Sequence, residues 1–486
     1  MNKKQSKFKQ GMQNLHQFMS KWSTKIAEAL INFFRNYHFI IMLVVVTVAV
    51  LIAKIATIPM SSGDSFWHLS PWVTYIRDFG NLKSLDKIPI STVFFGNQRY
   101  PYGHDVLSGI DVFAGYELEY ANYPVFYFTL LALVSYLPIS NLAVIKWVSY
   151  AFDFLMAFGT LMILRHFKKS KPIQLLGYAG ALILPTFFIN SSMWGQSDVI
   201  YGALIVWCIY FLLKDKPIFA SVFIGLSLSI KIQAVFIFPL LGWLWLKRKY
   251  KLWYLVIPFG VLFLTFIPNY LAGMPFKVPF EQYFSIASTY SQVNMNAGNI
   301  YALFEKINHR LNQSSVFGIP IVDAFGIPLA LLSLIIFIYI IYYKGYEVNG
   351  HSILLVAAII TLFTPYVLPH MHERYFYLAE ILIFIYILVI YPKKKRWYLI
   401  FLSQLSALIT YSHFYLGEPL LFDSTRTGNI IAAIINAVVL ILLISDLKLL
   451  SKDDEHLKKV LVDGELVDQN MIVDEEGPAE LLEENN

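Results

Sequence analysis

Four short basic clusters punctuate this chain, each at the end of an apolar run, and together they fix how it can thread a bilayer. They are Arg165-His166-Phe167-Lys168-Lys169, Lys214-Asp215-Lys216, Lys247-Arg248-Lys249 and Lys393-Lys394-Lys395-Arg396. Positive charge next to a span favours the cytoplasmic side. With these clusters inside, the polar signatures fall at the opposite ends of the spans: Gly63-Asp64, the stretch 117–124, Trp194-Gly195-Gln196-Ser197-Asp198, the stretch 231–233, and His370-Met371-His372-Glu373-Arg374. Scattered side chains thereby share one outer face.

The runs between the clusters are long enough for this. Crossing a ~30 Å hydrocarbon layer takes ~20 apolar residues as a helix, and the runs lack the alternation of barrel strands. Hydrophobic residues make up 57% of the 486-residue chain and charged ones 14%, which excludes an ordinary soluble enzyme. An all-α integral membrane protein of about 12 spans is expected, near 37–57, 143–164, 172–189, 199–213, 217–230, 232–246, 252–273, 316–343, 352–368, 375–391, 397–416 and 429–445. The apolar segment 122–138 is not counted, because a crossing there would invert the later basic loops. It is expected to lie in or re-enter the outer interface, within a large external loop over 58–138 that bears interfacial helices.

Outside this transmembrane domain (37–445), residues 1–36 form a basic segment with a helical apolar spacing suited to anionic lipid. Residues 446–486 form an acidic tail expected to be disordered. Both termini are placed in the cytoplasm. The single cysteine, Cys208, lies inside an apolar run and supports no disulfide framework. The absence of retrieval signals points to a bacterial plasma membrane.

Asp64 sits beside a glycine and among aromatic residues at a membrane exit, where partial desolvation suits a carboxylate for general-base work. It would equally serve as the N-cap of a helix starting near Ser65. Glu117 and Glu119, followed by Tyr123, offer carboxylates to sugar hydroxyls or a divalent cation, or are solvated loop charges. Trp194, Gln196 and Asp198 combine ring stacking with hydrogen bonding, the chemistry of sugar contact; an interfacial tryptophan and a helix cap account for them too. Lys231, with Gln233 at the tip of a helical hairpin over 217–246, is costly in lipid and should face water or an anion. His370, His372 and Arg374 at a helix entrance offer donors and positive charge to a phosphate. No metal site is assigned, since His-x-His-Glu lacks further ligands at zinc spacing. Asn296, in an Asn-rich run, suits hydroxyl recognition or a turn.

In order and topology these motifs resemble the GT-C superfamily of membrane glycosyltransferases, above all the lumenal glucosyltransferases that extend the dolichol-linked oligosaccharide in N-glycan assembly, and their bacterial relatives. The resemblance spans about 37–445. Gly63-Asp64 matches the start of the family's first external loop. Asn122-Tyr123-Pro124-Val125 matches its Asp-Tyr-Pro-Pro imperfectly, with an acid missing at Asn122. Gly195-Gln196-Ser197-Asp198 matches loosely, Lys231 and Gln233 are split by Ile232, and His370–Arg374 carries arginine for lysine. The resemblance implies an inverting transfer of a hexose from a polyprenyl-phosphate-linked donor to a hydroxyl of a glycan or glycolipid acceptor. Asp64 would be the base, and Lys231, His370, His372 and Arg374 would hold the donor phosphate. Glu117, Glu119, Tyr123, Trp194, Gln196, Asp198, Gln233 and Asn296 would contact sugar or acceptor. No cofactor is assured, although a divalent cation is possible, and no nucleic acid partner is implied. A multi-pass transporter or flippase is the alternative, weakened because the ionisable residues gather at one interface, with Asp153 the main acid inside a span.

Overall fold

The computed structural model describes residues 2–95, 98–103, 117–288, 292–304, 314–392, 395–416, 424–450, 459–462 and 465–468. It is 76% helical. Among the described residues the longest strand has six residues (Ile90–Phe95), well short of the ~9–11 a barrel strand needs to cross a bilayer. Each of the twelve apolar segments contains helix. Among the described residues, six helices are long and apolar enough to span by themselves: Phe18–Ala56, Asn141–His166, Leu252–Ala272, Val322–Tyr343, Gly350–Val367 and Thr425–Asp446. A bent pair, Lys171–Ile183 with Pro185–Trp194, makes a seventh if taken as one span. The chain is a multi-pass helical membrane protein.

The first helix, α1, runs unbroken from Asn2 to Ala56, so the basic segment and the first expected span form one helix. Large apolar side chains such as Ile40, Val44, Val48 and Ile52 remain exposed on it, as a lipid-facing surface requires. The stretch after it holds helix α2 (Ser70–Asp78) and α3 (Val125–Val134), the latter ten residues and too short to cross. Between them lies an antiparallel sheet that sequence reasoning did not anticipate: β1 (Ile90–Phe95) is flanked by β2 (Gln98–Pro101) and β3 (Glu117–Tyr120).

Local chemistry sets the ends of the helices that follow. Ser140 caps α4 (Asn141–His166) through the amide of Ala143. In α5 (Lys171–Ile183) Pro172 sits in the first turn, where its missing N–H costs nothing. Next, α6 (Asp198–Leu213) packs on α4 and on α7 (Pro217–Leu228), and α7 in turn packs on α8 (Val256–Thr265). Asn349 with Ser352 forms a reciprocal capping box on α9 (Gly350–Val367). At the centre stands α10 (Tyr377–Ile390), buried along its whole length against α9 and α11 (Tyr398–Leu416).

Residues 316–320, expected to begin a span, belong instead to a turn region carrying strands Ser315–Val316 and Ile319–Pro320. In the acidic tail Lys459–Val462 pairs with Glu465–Asp468. Residues 451–458, 463–464 and 469–486 of the tail, for which disorder was expected, lie outside the described residues, as do Lys393 and Lys394.

Candidate active site

Asp64 lies in the segment after α1, immediately before the π-helical turn Ser65–Leu69. Its side chain makes no capping bond, so the N-cap explanation fails. Instead its Oδ2 accepts from Gln196 Nε2 at 2.6 Å and from Trp194 Nε1 at 3.1 Å. The carboxylate is 30% exposed, held from within and open from without.

Both donors come from the turn that joins the bent pair to α6. Residues Ile189–Trp194 form a π turn that ends on Gly195 at φ +80°, a left-handed backbone that glycine adopts at least cost. This reversal sends Trp194 and Gln196 to the same carboxylate. Tyr123, just before α3, donates its hydroxyl to Gln196 Oε1 at 3.3 Å, which fixes the amide with its N–H toward Asp64.

Asp198 opens α6 and is fully buried, and Ser197 gives it no capping partner either. Lys231 Nζ lies 2.5 Å from Asp198 Oδ1, and Asn190 Nδ2 donates to Oδ2 at 3.1 Å. Lys231 occupies an extended residue between α7 and a 3-10 turn, with the rings of Tyr123, Tyr201 and Tyr375 between 5.7 and 5.9 Å from its ammonium. The anion it faces is therefore a protein carboxylate, inside an aromatic box.

Arg374 joins the two acids. Its Nη1 lies 3.9 Å from Asp64 Oδ2 and its Nε 3.8 Å from Asp198 Oδ2, while Nη1 donates to Glu373 Oε1 at 2.9 Å. The guanidinium also stands over the Trp194 indole at 5.7 Å. Burial, followed by the positive charge of Arg374, pushes the His372 imidazole below its usual range, against the pull of Glu373 at 3.5 Å. His372 is thus a neutral ring at the edge of a dense charge cluster.

The backbone carries this motif to its place. Met371-His372 pairs in parallel with Asn294-Met295, and Asn296 bridges to His372. Asn296 (φ 58°) and His370 (φ 60°) both take left-handed backbone, uncommon for residues other than glycine and frequent at functional turns. The Asn296 amide oxygen accepts from Asn429 at 3.1 Å.

Asp64, Tyr123, Trp194, Gln196, Asp198, Lys231, His372 and Arg374 thus converge, with Asn296 attached through the backbone. His370 points elsewhere: its Nδ1 is 2.7 Å from the Gln292 carbonyl and its Nε2 2.7 Å from Asp323. Glu119 lies on the three-stranded sheet, bonded to Arg99 at 2.7 Å and Thr92 at 2.5 Å, and Glu117 is exposed two residues before it. Gln233 is buried in the 3-10 turn after Lys231. Sequence reasoning missed Glu373, Asn190 and the tyrosine box of Lys231. It also treated Asp153 as the main acid within a span, although Glu380 is buried in α10, bonded to Thr186 and Gln404. Among the described residues no three His, Cys, Asp or Glu side chains group as a metal site.

The family model of glycosyltransferase family 87 matches residues 120–365. The matched stretch includes Tyr123, Trp194, Gln196, Asp198, Lys231 and Asn296; Asp64 and His372 fall on either side of it. No curated protein matches the chain.

Proposed function

The chain belongs to glycosyltransferase family 87, a GT-C-like membrane family, and is a glycosyltransferase; from that premise we propose that it transfers a hexose, with inversion, from a polyprenyl-phosphate-linked donor to a hydroxyl of a glycan or glycolipid. The reaction is placed on the extracytoplasmic face, with about 12 spans, a bacterial plasma membrane and cytoplasmic termini completing the proposal. The transporter alternative receives no support from the family.

The observation that carries this proposal is the half-open Asp64 carboxylate, oriented by two N–H donors and set 3.9 Å from a buried arginine. In the proposed step the acceptor O–H gives its proton to Asp64 as its oxygen bonds to the anomeric carbon. The bond from that carbon to the phosphate oxygen breaks, and its electron pair leaves with the lipid phosphate. Charge grows on that phosphate, so nearby cations stabilise the transition state more than the ground state. Arg374 and Lys231 are assigned this task, with the neutral His372 ring beside them as an N–H donor to the phosphate. Lys231 and Arg374 are matched by Asp198, Glu373 and Asp64, and the donor phosphate would draw Lys231 away from Asp198. Tyr123 and Asn296 would orient sugar hydroxyls, and Gln196, bonded to Asp64, would hold the base toward the acceptor sugar. His370 would act through the loop it ties to Asp323, and Gln233 through the turn that presents Lys231. Glu117 and Glu119 belong to the acceptor side.

Purified protein in lipid nanodiscs, offered a panel of radiolabelled polyprenyl-phosphate sugars, tests the proposal. Wild type should transfer or hydrolyse one donor. Asp64→Asn should lose ~10²–10⁴-fold in rate while still binding it, and His372→Ala should lose donor binding as well. Full activity in Asp64→Asn would remove it as the base.

A further inference from the structure

Beside Asp64, the external sheet carries a cluster of which the proposed chemistry gives a place only to Glu119. Trp67 follows Asp64 by three residues, in the π turn that Asp64 precedes. The guanidinium carbon of Arg99, from β2, stands 5.1 Å over the Trp67 ring. The same guanidinium donates to Glu119 on β3 at 2.7 Å, and Glu119 also accepts from Thr92 on β1 at 2.5 Å. The three strands thus meet around the guanidinium that covers the indole. The Arg99 and Glu119 side chains nevertheless stay 38% and 39% exposed. Phe66, edge-on to Trp67, is 50% exposed. His68 feels the charges of Asp64, Glu119, Arg99 and Arg374 together, which sets this cluster alongside the proposed base.

An exposed ion pair contributes little to stability, so packing alone gives no reason to assemble one over an aromatic ring at the mouth of a site. Its chemistry fits a sugar. A guanidinium only donates and a carboxylate only accepts, and a vicinal diol does both. The C–H face of a pyranose matches an indole. Because Arg99 is already balanced by Glu119, the pair holds no net attraction for an anionic group.

We propose that Trp67, Arg99 and Glu119 form the acceptor subsite, seating a neutral hexose of the acceptor so that its hydroxyl meets Asp64. Trp67 and Arg99 are specificity-determining residues in this scheme. It rests on the glycosyltransferase proposal above with Asp64 as base.

The test uses the full chain in nanodiscs with whichever polyprenyl-phosphate sugar wild type turns over. Octyl glucoside and octyl mannoside serve as neutral acceptors, octyl glucuronide as the anionic one. Trp67→Ala and Arg99→Gln should each raise the KM for a neutral octyl glycoside ~10-fold, with donor hydrolysis to water within about twofold of wild type. Trp67→Phe should recover part of the loss, which separates a stacking role from damaged folding. Three results overturn the subsite: acceptor KM unchanged in both variants, a wild-type preference for the glucuronide that Arg99→Gln abolishes, or donor hydrolysis by wild type with transfer to neither neutral glycoside. Wild type that neither hydrolyses nor transfers any donor defeats the donor assignment first, and the subsite with it.

Discussion

Two N–H groups aimed at one oxygen of Asp64 leave its other oxygen to meet an acceptor, and the shorter of the two bonds, from Gln196 at 2.6 Å, carries more of the orientation. Gln196→Leu keeps the volume and removes that donor. Transfer by this variant should fall ~10-fold in kcat with donor KM little changed, the pattern of a group that positions the base; a pure rise in donor KM would assign Gln196 to donor binding instead. Stability should respond to acid through the histidines. Burial lowers the proton affinity of both His372 and His68 in the fold, so the unfolded chain takes up protons first as pH falls through about 6.5. Stability is therefore retained above that value, declines as pH falls below it, and stops declining below the folded-state values. Thermal midpoints between pH 7.5 and 5 should drop less steeply in the His68→Gln, His372→Gln double variant than in wild type. Equal slopes would show that neither ring is held neutral by its surroundings. At this scale residue types were legible in the sequence and partners were not. A lysine between apolar runs announces that it needs an anion, but nothing local says that the anion is Asp198, 33 residues away.

Helical elements were the most legible, since each apolar run of the sequence contains helix, and burial of backbone polar groups in lipid leaves few other choices. The three-stranded sheet was not, although Ile90-Ser91-Thr92-Val93-Phe94-Phe95 has the β-branched and aromatic character of a strand. In a chain this apolar, a six-residue strand does not stand out against spans three times its length. The pairing of Asn294-Met295 with Met371-His372 lay further out of reach, because parallel partners separated by the whole of α9 and the helix Ile327–Tyr343 leave no sequence pattern. Helix packing yields a sharper expectation. A Cβ placed on Gly225 would stand 2.6 Å from the Val261 side chain and 2.7 Å from the Pro258 carbonyl, so at this point α7 lies against both backbone and side chain of α8. Small residues permit such close approach in membranes. Gly225→Leu should force the helices apart and cost ~1–3 kcal/mol or more, read as a lower thermal midpoint in detergent. Gly242→Leu, with nothing within 4 Å of its added Cβ, is the control and should move the midpoint far less.

For the whole molecule, the question is what ties α1 to the bundle, since its outward face is left to lipid. The sequence alone hid the answer, because Lys54 lay unremarked near the end of an apolar run and Asp153 looked like a solitary acid in another. They meet at 2.8 Å with neither side chain more than 1% exposed. Lys54 also donates to Ser192 at 2.7 Å and Ser191 at 3.2 Å, and Tyr150 donates its hydroxyl to the Lys54 carbonyl at 2.7 Å. One ammonium thus joins α1, α4 and the π turn that leads to Trp194 and Gln196. Desolvating both charges is expensive, and their attraction roughly offsets it, so the pair is a better device for specifying one arrangement than for adding stability. The consequences of removing one partner and of removing both therefore differ in sign. Lys54→Met or Asp153→Leu alone leaves a buried charge uncompensated and should cost ~3–5 kcal/mol. The Lys54→Met, Asp153→Leu double variant should recover most of that, to near or above wild-type stability. Its transfer activity is the informative reading. If the pair sets the register of α1, and with it the position of Asp64 ten residues later, the stable double variant should still transfer sugar poorly. Wild-type activity in that variant would show that apolar packing of α1 suffices to place the base.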